Sequence, residues 1–246
     1  DAVWRSPAID VIQLHMYDRR DFPAAFTGPE IAKLQQTFQK PVVIGEFGWI
    51  DEVMRKFDDI GIHLHDGLWS SLIGGAAGGA MSWYWDSYVH PNHLEQHFRA
   101  AEMFWRGERL TRSARRLDLS LSNSTLAGWG IGTSERGYLW IKNRTHTLDG
   151  YIAYRCALAK ERLREARGQS PEPVTYSARP VRGATATVRG LSWIGRYRVE
   201  WWDPYRGRIA ARSVTPSRGG TLTIEVPEVG FDVAGKLIKL QWWERG

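Results

Sequence analysis

Glu46 closes the apolar part of PVVIGEFGW, Pro41 to Trp49, where a run of aliphatic residues gives way to a carboxylate, an aromatic and a glycine. Val42 to Ile44 read as a strand covered on both faces, the habit of parallel strands in α/β folds. Gly45 lets the backbone pass closely, so Glu46 emerges at the strand's carboxyl end, where catalytic groups of parallel barrels collect. Two further runs have the same design. DVIQLHMYD (Asp10 to Asp18) delivers His15 and Tyr17, and GGAMSWYWD (Gly78 to Asp86) delivers Trp83, with Trp85 and Asp86 after it. A carboxylate, an imidazole, a phenol and an indole on one rim make a site.

The elements that must position these groups alternate strand and helix. Glu30 to Gln39 carries Ile31, Leu34 and Phe38 at helical spacing and stops before Pro41. A loop from Asp51 to Gly61 leads to a helix predicted from about His65 to Ile73, then a strand from Ala80 to Trp85. A helix predicted from Asn92 to Trp105 puts Leu94, Phe98, Ala101 and Trp105 on one face, with Asn92 as N-cap. Such repetition argues for a parallel sheet with crossover helices.

From Leu117 on, the pattern changes to short alternating strands separated by Gly, Asn and Pro turns. Thr221 to Pro227 and Gly195 to Pro204 alternate apolar with polar residues, which predicts an antiparallel sandwich with one solvated face per sheet. Lys160 to Pro173 reads as a charged loop or short helix leaving that sandwich. The boundary between the two halves falls in Thr111 to Asp118, giving domains 1–114 and 115–246.

At 246 residues and 43% hydrophobic content the chain can bury a substantial core, and no apolar run is long enough to cross a bilayer. Cys156 is the single cysteine, so an internal disulfide framework is excluded. It sits in an apolar alternation with Ile152 and Tyr154 and reads as a packed residue. The net charge of +6 is carried by scattered arginines, so no nucleic-acid partner is expected. Thirteen tryptophans offer flat faces that serve cores and equally serve as stacking surfaces for sugar rings.

In order and spacing, the three strands resemble the last three strands of the (β/α)8 barrels of glycoside hydrolase clan A, the cellulase and mannanase type. The sixth strand of that clan ends in a His-x-Tyr pair, matched by His15 and Tyr17. The seventh ends in Glu, an aromatic and Gly, matched by Glu46, Phe47 and Gly48. The eighth ends in a tryptophan that floors the cleavage subsite, matched by Trp83. The resemblance covers roughly residues 8 to 106. The second half, with GRYRVEWWDPYRGRI and VGFDVAGKLIKL, resembles the small β-sandwich modules that close many such enzymes.

The resemblance implies an incomplete TIM barrel, its last three βα units, followed by an antiparallel β-sandwich. It implies a retaining, double-displacement hydrolase of β-linked glycans, exported from the cytoplasm and needing neither metal nor other cofactor. Glu46 would be the nucleophile, Tyr17 a hydrogen-bond donor to it, and His15 a support for Tyr17 or a contact to a sugar hydroxyl. Trp83 would stack under the ring, with Trp85, Asp86 and Trp49 near neighbouring subsites. Retaining enzymes need a second carboxyl, about 5 Å away. In this clan it follows an Asn on the fourth strand, and no Asn-Glu pair occurs here. The chain is therefore expected to be the C-terminal portion of a longer enzyme, inactive without its other barrel half.

Other readings of the same residues remain open. Glu46 also fits a structural carboxylate paired with an arginine, and His15 and Tyr17 fit packed polar groups. His93 and His97 have the i, i+4 spacing of metal ligands, but no Glu follows His93 as a zinc protease would require, and packed or surface histidines are the expectation for these and for His63, His65 and His90. In Trp201–Trp202, alternation buries one ring and leaves at most the other for glycan. The alternative function is carbohydrate binding without catalysis.

Overall fold

The computed structural model describes residues 2–17, 29–49, 56–111, 113–176 and 178–244. The expected loop Arg19 to Gly28 and the first part of the loop after Glu46 lie outside these residues. After a short helix α1 (Ala2–Arg5), strand β1 (Ile12–Tyr17) pairs in parallel with β2 (Val42–Gly48). Helix α2 (Pro29–Phe38) joins them and ends, as its spacing predicts, before Pro41; Ile31 and Leu34 pack on Ile12 and Val42.

Helix α3 (Ile62–Ile73) begins a few residues before the predicted start. The reason is a cap the sequence did not advertise: the Asp58 carboxylate accepts the backbone N–H groups of Ile62 (2.8 Å) and His63 (2.9 Å) and the Tyr88 hydroxyl (2.6 Å). Nearly every residue of α3 is buried, because the helix lies between the parallel pair and the second half. Leu64 and Leu68 meet Ile44 and Phe47 on one side. Trp69 and Ile73 meet Tyr138, Trp140 and Trp202 on the other.

The expected strand Ala80 to Trp85 forms only one ladder pair, Phe47 with Ser82. Backbone bonds from Ala77 to Val42, Met81 to Ile44 and Trp83 to Phe47 nonetheless carry this segment alongside β2 in parallel. A π-helical turn, Trp85–Val89, then replaces the end of the expected strand. Helix α4 (Gln96–Trp105) starts later than predicted, since His93 adopts φ 54° and the Asn92 amide donates to the Tyr88 carbonyl rather than capping a helix.

The second half is one antiparallel sheet of nine strands: β3 (Arg115–Arg116), β4 (Asp118–Leu121), β5 (Leu126–Gly132), β6 (Arg136–Asn143), β7 (Thr185–Arg189), β8 (Ile194–Asp203), β9 (Arg208–Arg218), β10 (Thr221–Glu225) and β11 (Asp232–Lys239). Their order is β3-β5-β6-β11-β8-β9-β10-β7-β4. The two outer members, β3 and β4, are separated only by Leu117, so the sheet returns on itself and is nearly closed. Leu139, Tyr197, Val199, Leu222 and Leu237 fill its interior.

Two expectations in this half give way. Residues 152–166 belong to one helix, α5 (Leu148–Ala166), capped by Thr147, and Cys156 on it is exposed rather than packed. Leu148, Tyr151 and Ile152 have the i, i+3, i+4 spacing that outweighs the local alternation. β8 keeps its two-residue period, since the bulge opposite Trp201 and Trp202 falls on β9, where Ala210 is the extra residue; both rings are buried because both faces of the strand are covered here. Trp201 enters the sheet's interior, and Trp202 meets Phe104 of α4.

Candidate active site

Alternation places Gln13, His15 and Tyr17 on one face of β1, opposite the helices. Regular pairing would set Glu46 against Met16 and turn it toward those helices. Instead the register shifts between Leu14 and His15, so that Leu14 pairs with Ile44 but His15 pairs with Glu46. Gly45 is the extra residue, and its bulge re-aims the carboxylate onto the open face. Glycine leaves the Gln13 side chain free to lie across the position, where a Cβ would stand 2.5 Å from it.

The contacts at Glu46 define a directed chain. Gln13 Nε2 can only donate, so at 2.8 Å it makes His15 Nε2 an acceptor. His15 therefore carries its proton on Nδ1 and donates it to Glu46 Oε2 at 3.0 Å. The Tyr17 hydroxyl donates to the same oxygen at 2.5 Å. Desolvation, then the bond to Glu46, pushes Tyr17 up to about 12, which keeps the phenol a donor at neutral pH. Oε1 receives no hydrogen bond from any described residue. The Glu46 side chain is 26% exposed, so it is both held and accessible. The Tyr84 ring lies over Gly48, where a Cβ would stand 2.7 Å from it and 3.5 Å from the Tyr17 ring.

The neighbouring segment brings Trp83 to this rim, since its N–H bonds the Phe47 carbonyl at 2.8 Å. Its side chain is 53% exposed, and Met81, two residues earlier, is exposed on the same face, while Ala80 and Ser82 between and beyond them are buried. Trp85 and Asp86 are exposed on the π-helical turn that follows. Trp49 is different. At 6% exposure it packs with Ile62, Leu148 and Tyr151 rather than lining the open face. Sequence reading missed Gln13; its signal was the two-residue spacing to His15.

The histidines sort differently from any ligand set. His93 lies outside α4. His97 donates from Nε2 to the Ile60 carbonyl (3.0 Å) and faces His65 Nδ1 through its own Nδ1 at 3.1 Å. His65 Nε2 then meets Asp232 Oδ2 at 2.6 Å, and Trp140 Nε1 donates to the same oxygen at 2.7 Å. Burial lowers His97 to about 3; burial alone would raise Asp232, but His65 and Trp140 outweigh it and hold the carboxyl low. The Tyr205 ring stacks on His65 at 4.0 Å. Among the described residues no group of three His, Cys, Asp or Glu could hold a metal ion. No described helix is long and apolar enough to cross a membrane.

No protein-family model matches the sequence, and no curated protein matches it. The chain's structural neighbours are glycoside hydrolases of low sequence identity. A family 30 endoxylanase from Clostridium papyrosolvens is 11% identical with a TM-score of 0.48, over 98% of this chain and 52% of its own. A family 30 subfamily 8 xylanase from Clostridium acetobutylicum is 12% identical with a TM-score of 0.46, over 97% and 52%. A family 5 glycoside hydrolase from Bacteroides vulgatus is 12% identical with a TM-score of 0.43, over 85% and 43%. The chain thus spans about half the length of these structures or less.

Proposed function

We propose that this chain carries the nucleophile half of a retaining β-glycan hydrolase, with Glu46 as nucleophile. One observation carries the reading: Glu46 Oε2 is anchored by Tyr17 and His15 while Oε1 has no donor among the described residues. A carboxylate fixed at one oxygen and accessible at the other is oriented for attack. Oε1 would bond the anomeric carbon as the glycosidic oxygen leaves with a proton from a second carboxyl; water would then release the sugar and restore Glu46. Trp83 supplies the stacking face beneath the ring, and Trp85 and Asp86 extend the same rim.

The second carboxyl belongs, in this reading, to barrel units outside the chain. The division into a catalytic part, 1–114, and an accessory sandwich, 115–246, and export from the cytoplasm belong to the same proposal. Its support is the open face itself: His15, Met81 and Trp83 are solvent-exposed on a parallel sheet, where the interior of a barrel is ordinarily filled by further strands. In the gene product containing this chain, Glu46→Gln is expected to abolish glycan hydrolysis while leaving the folded structure and its melting transition intact. Retained hydrolysis would remove Glu46 from the mechanism.

A further inference from the structure

At one end of the nearly closed sheet, strands β8, β9 and β11 frame an open groove of about 820 Å³. It lies remote from the junction with α3: Lys239 is seven residues beyond Asp232 on β11, about 24 Å at the usual strand rise. Two indoles line it, and they are not packing residues. Trp193 is 74% exposed and Trp242 is 88% exposed. Large aromatic rings left this open on a soluble surface mark interaction sites.

The charges beside them are equally unspent. Cross-strand pairing sets Ile194, Arg196, Arg198 and Glu200 of β8 opposite Arg218, Pro216, Val214 and Arg212 of β9, so these side chains share one face. Glu200 is the one carboxylate in that set, and it is already bonded to Arg198 and Arg212. Arg196 and Arg218, which line the groove, have no carboxylate partner among the described residues. Guanidinium forks bind carboxylates in bidentate fashion, and indoles stack on the apolar faces of sugar rings.

We propose that this groove binds an anionic polysaccharide, one bearing uronic acid residues, with Trp193 and Trp242 as stacking platforms and Arg196 and Arg218 reading the carboxylates. Two free cations suit carboxylates spaced along a glycan. A nucleic-acid backbone, whose binders typically neutralise about 6–10 phosphates, would find too few. The site is independent of the Glu46 reading, and each can fail without the other.

Isothermal titration calorimetry on the intact chain tests it, with a short oligogalacturonate, a neutral cello-oligosaccharide and oligothymidylate as probes. The expected result is tightest binding of the oligogalacturonate, weakened by salt. The double variant W193A/W242A should lose roughly ten-fold or more in affinity for both glycans. The double variant R196Q/R218Q should lose only the preference for the acidic one. All four positions in the double variants are on the surface, so unchanged circular dichroism is expected to show that both fold. The proposal is overturned if oligogalacturonate affinity survives W193A/W242A, if oligothymidylate binds most tightly, or if the wild type binds no glycan and its exposed indoles instead join two copies of the chain in sedimentation.

Discussion

Around Glu46 the chemistry depends on which atoms carry protons. Tyr17 remains protonated up to about 12, so its bond to the carboxylate persists across the working range of any such enzyme. Tyr17→Phe removes a hydrogen bond to a charged group, a change of about 1.5–3 kcal/mol. The expected loss in kcat is roughly ten- to hundredfold with little change in melting temperature, read by steady-state kinetics; an unchanged kcat would make the phenol a spectator. Gln13 acts one step further out, as a positioning residue that fixes the His15 tautomer. Gln13→Leu leaves His15 Nε2 free to take the proton, and a shifted pH–rate profile, rather than lost stability, is the expected signature.

Elements succeed or fail here according to where glycine yields to a neighbour. A methyl group at Gly45 meets only the Gln13 side chain, which can swing away, whereas one at Gly67 in α3 meets the buried Phe47 ring at 2.5 Å. Gly45→Ala is therefore expected to spare stability and disable the site. Gly67→Ala gains about 1 kcal/mol in helix propensity but overpacks a core, at a cost of about 1–3 kcal/mol. Urea unfolding of both variants checks the contrast, and a Gly67→Ala protein more stable than wild type would contradict it. The same local geometry shows what the sequence could convey. β1, α2 and β2 were legible because one face of each is continuously apolar. The bulge at Gly45 and its counterpart at Ala210 of β9 were not, since a bulge is set by cross-strand register rather than by local pattern. Helix α5 was obscured because Ile152, Tyr154 and Cys156 also satisfy a period of two. The site itself was legible as far as His15, Tyr17, Glu46 and Trp83; Trp49 follows Gly48 in the motif but turns into a separate apolar cluster.

The whole molecule is held together by polar contacts between partners remote in sequence, which no local pattern could announce. His65 meets Asp232, Lys142 bonds both oxygens of Asp66, and Glu108 joins α4's end to the sheet through Arg136, Tyr138 and Lys236. Burial alone would raise Glu108, but those three donors hold it at about 2. Breaking a buried pair strands its partner, so Glu108→Gln is expected to cost about 3 kcal/mol or more in urea unfolding. Acid should loosen the same junction. Burial lowers His63, His97 and His146 to about 3 from an unfolded value of 6.5. The unfolded chain therefore takes up protons first as pH falls below 6.5, and stability drops from there toward pH 3 by up to about 1.4 kcal/mol per pH unit for each histidine. Glu108 adds to the loss below its unfolded 4.5, as pH falls toward its folded value. A urea midpoint that stays constant between pH 7 and pH 5 would contradict this.

The nucleophile assignment is tested most directly by covalent trapping. The gene product containing this chain is treated with 2-deoxy-2-fluoro β-glycosides bearing a dinitrophenolate leaving group, which departs without help from a general acid, and its peptides are then weighed by mass spectrometry. One glycosyl adduct is expected, on the peptide containing Glu46 and on that carboxylate. An adduct on any other carboxylate, in an enzyme whose turnover the reagent stops, would contradict the assignment.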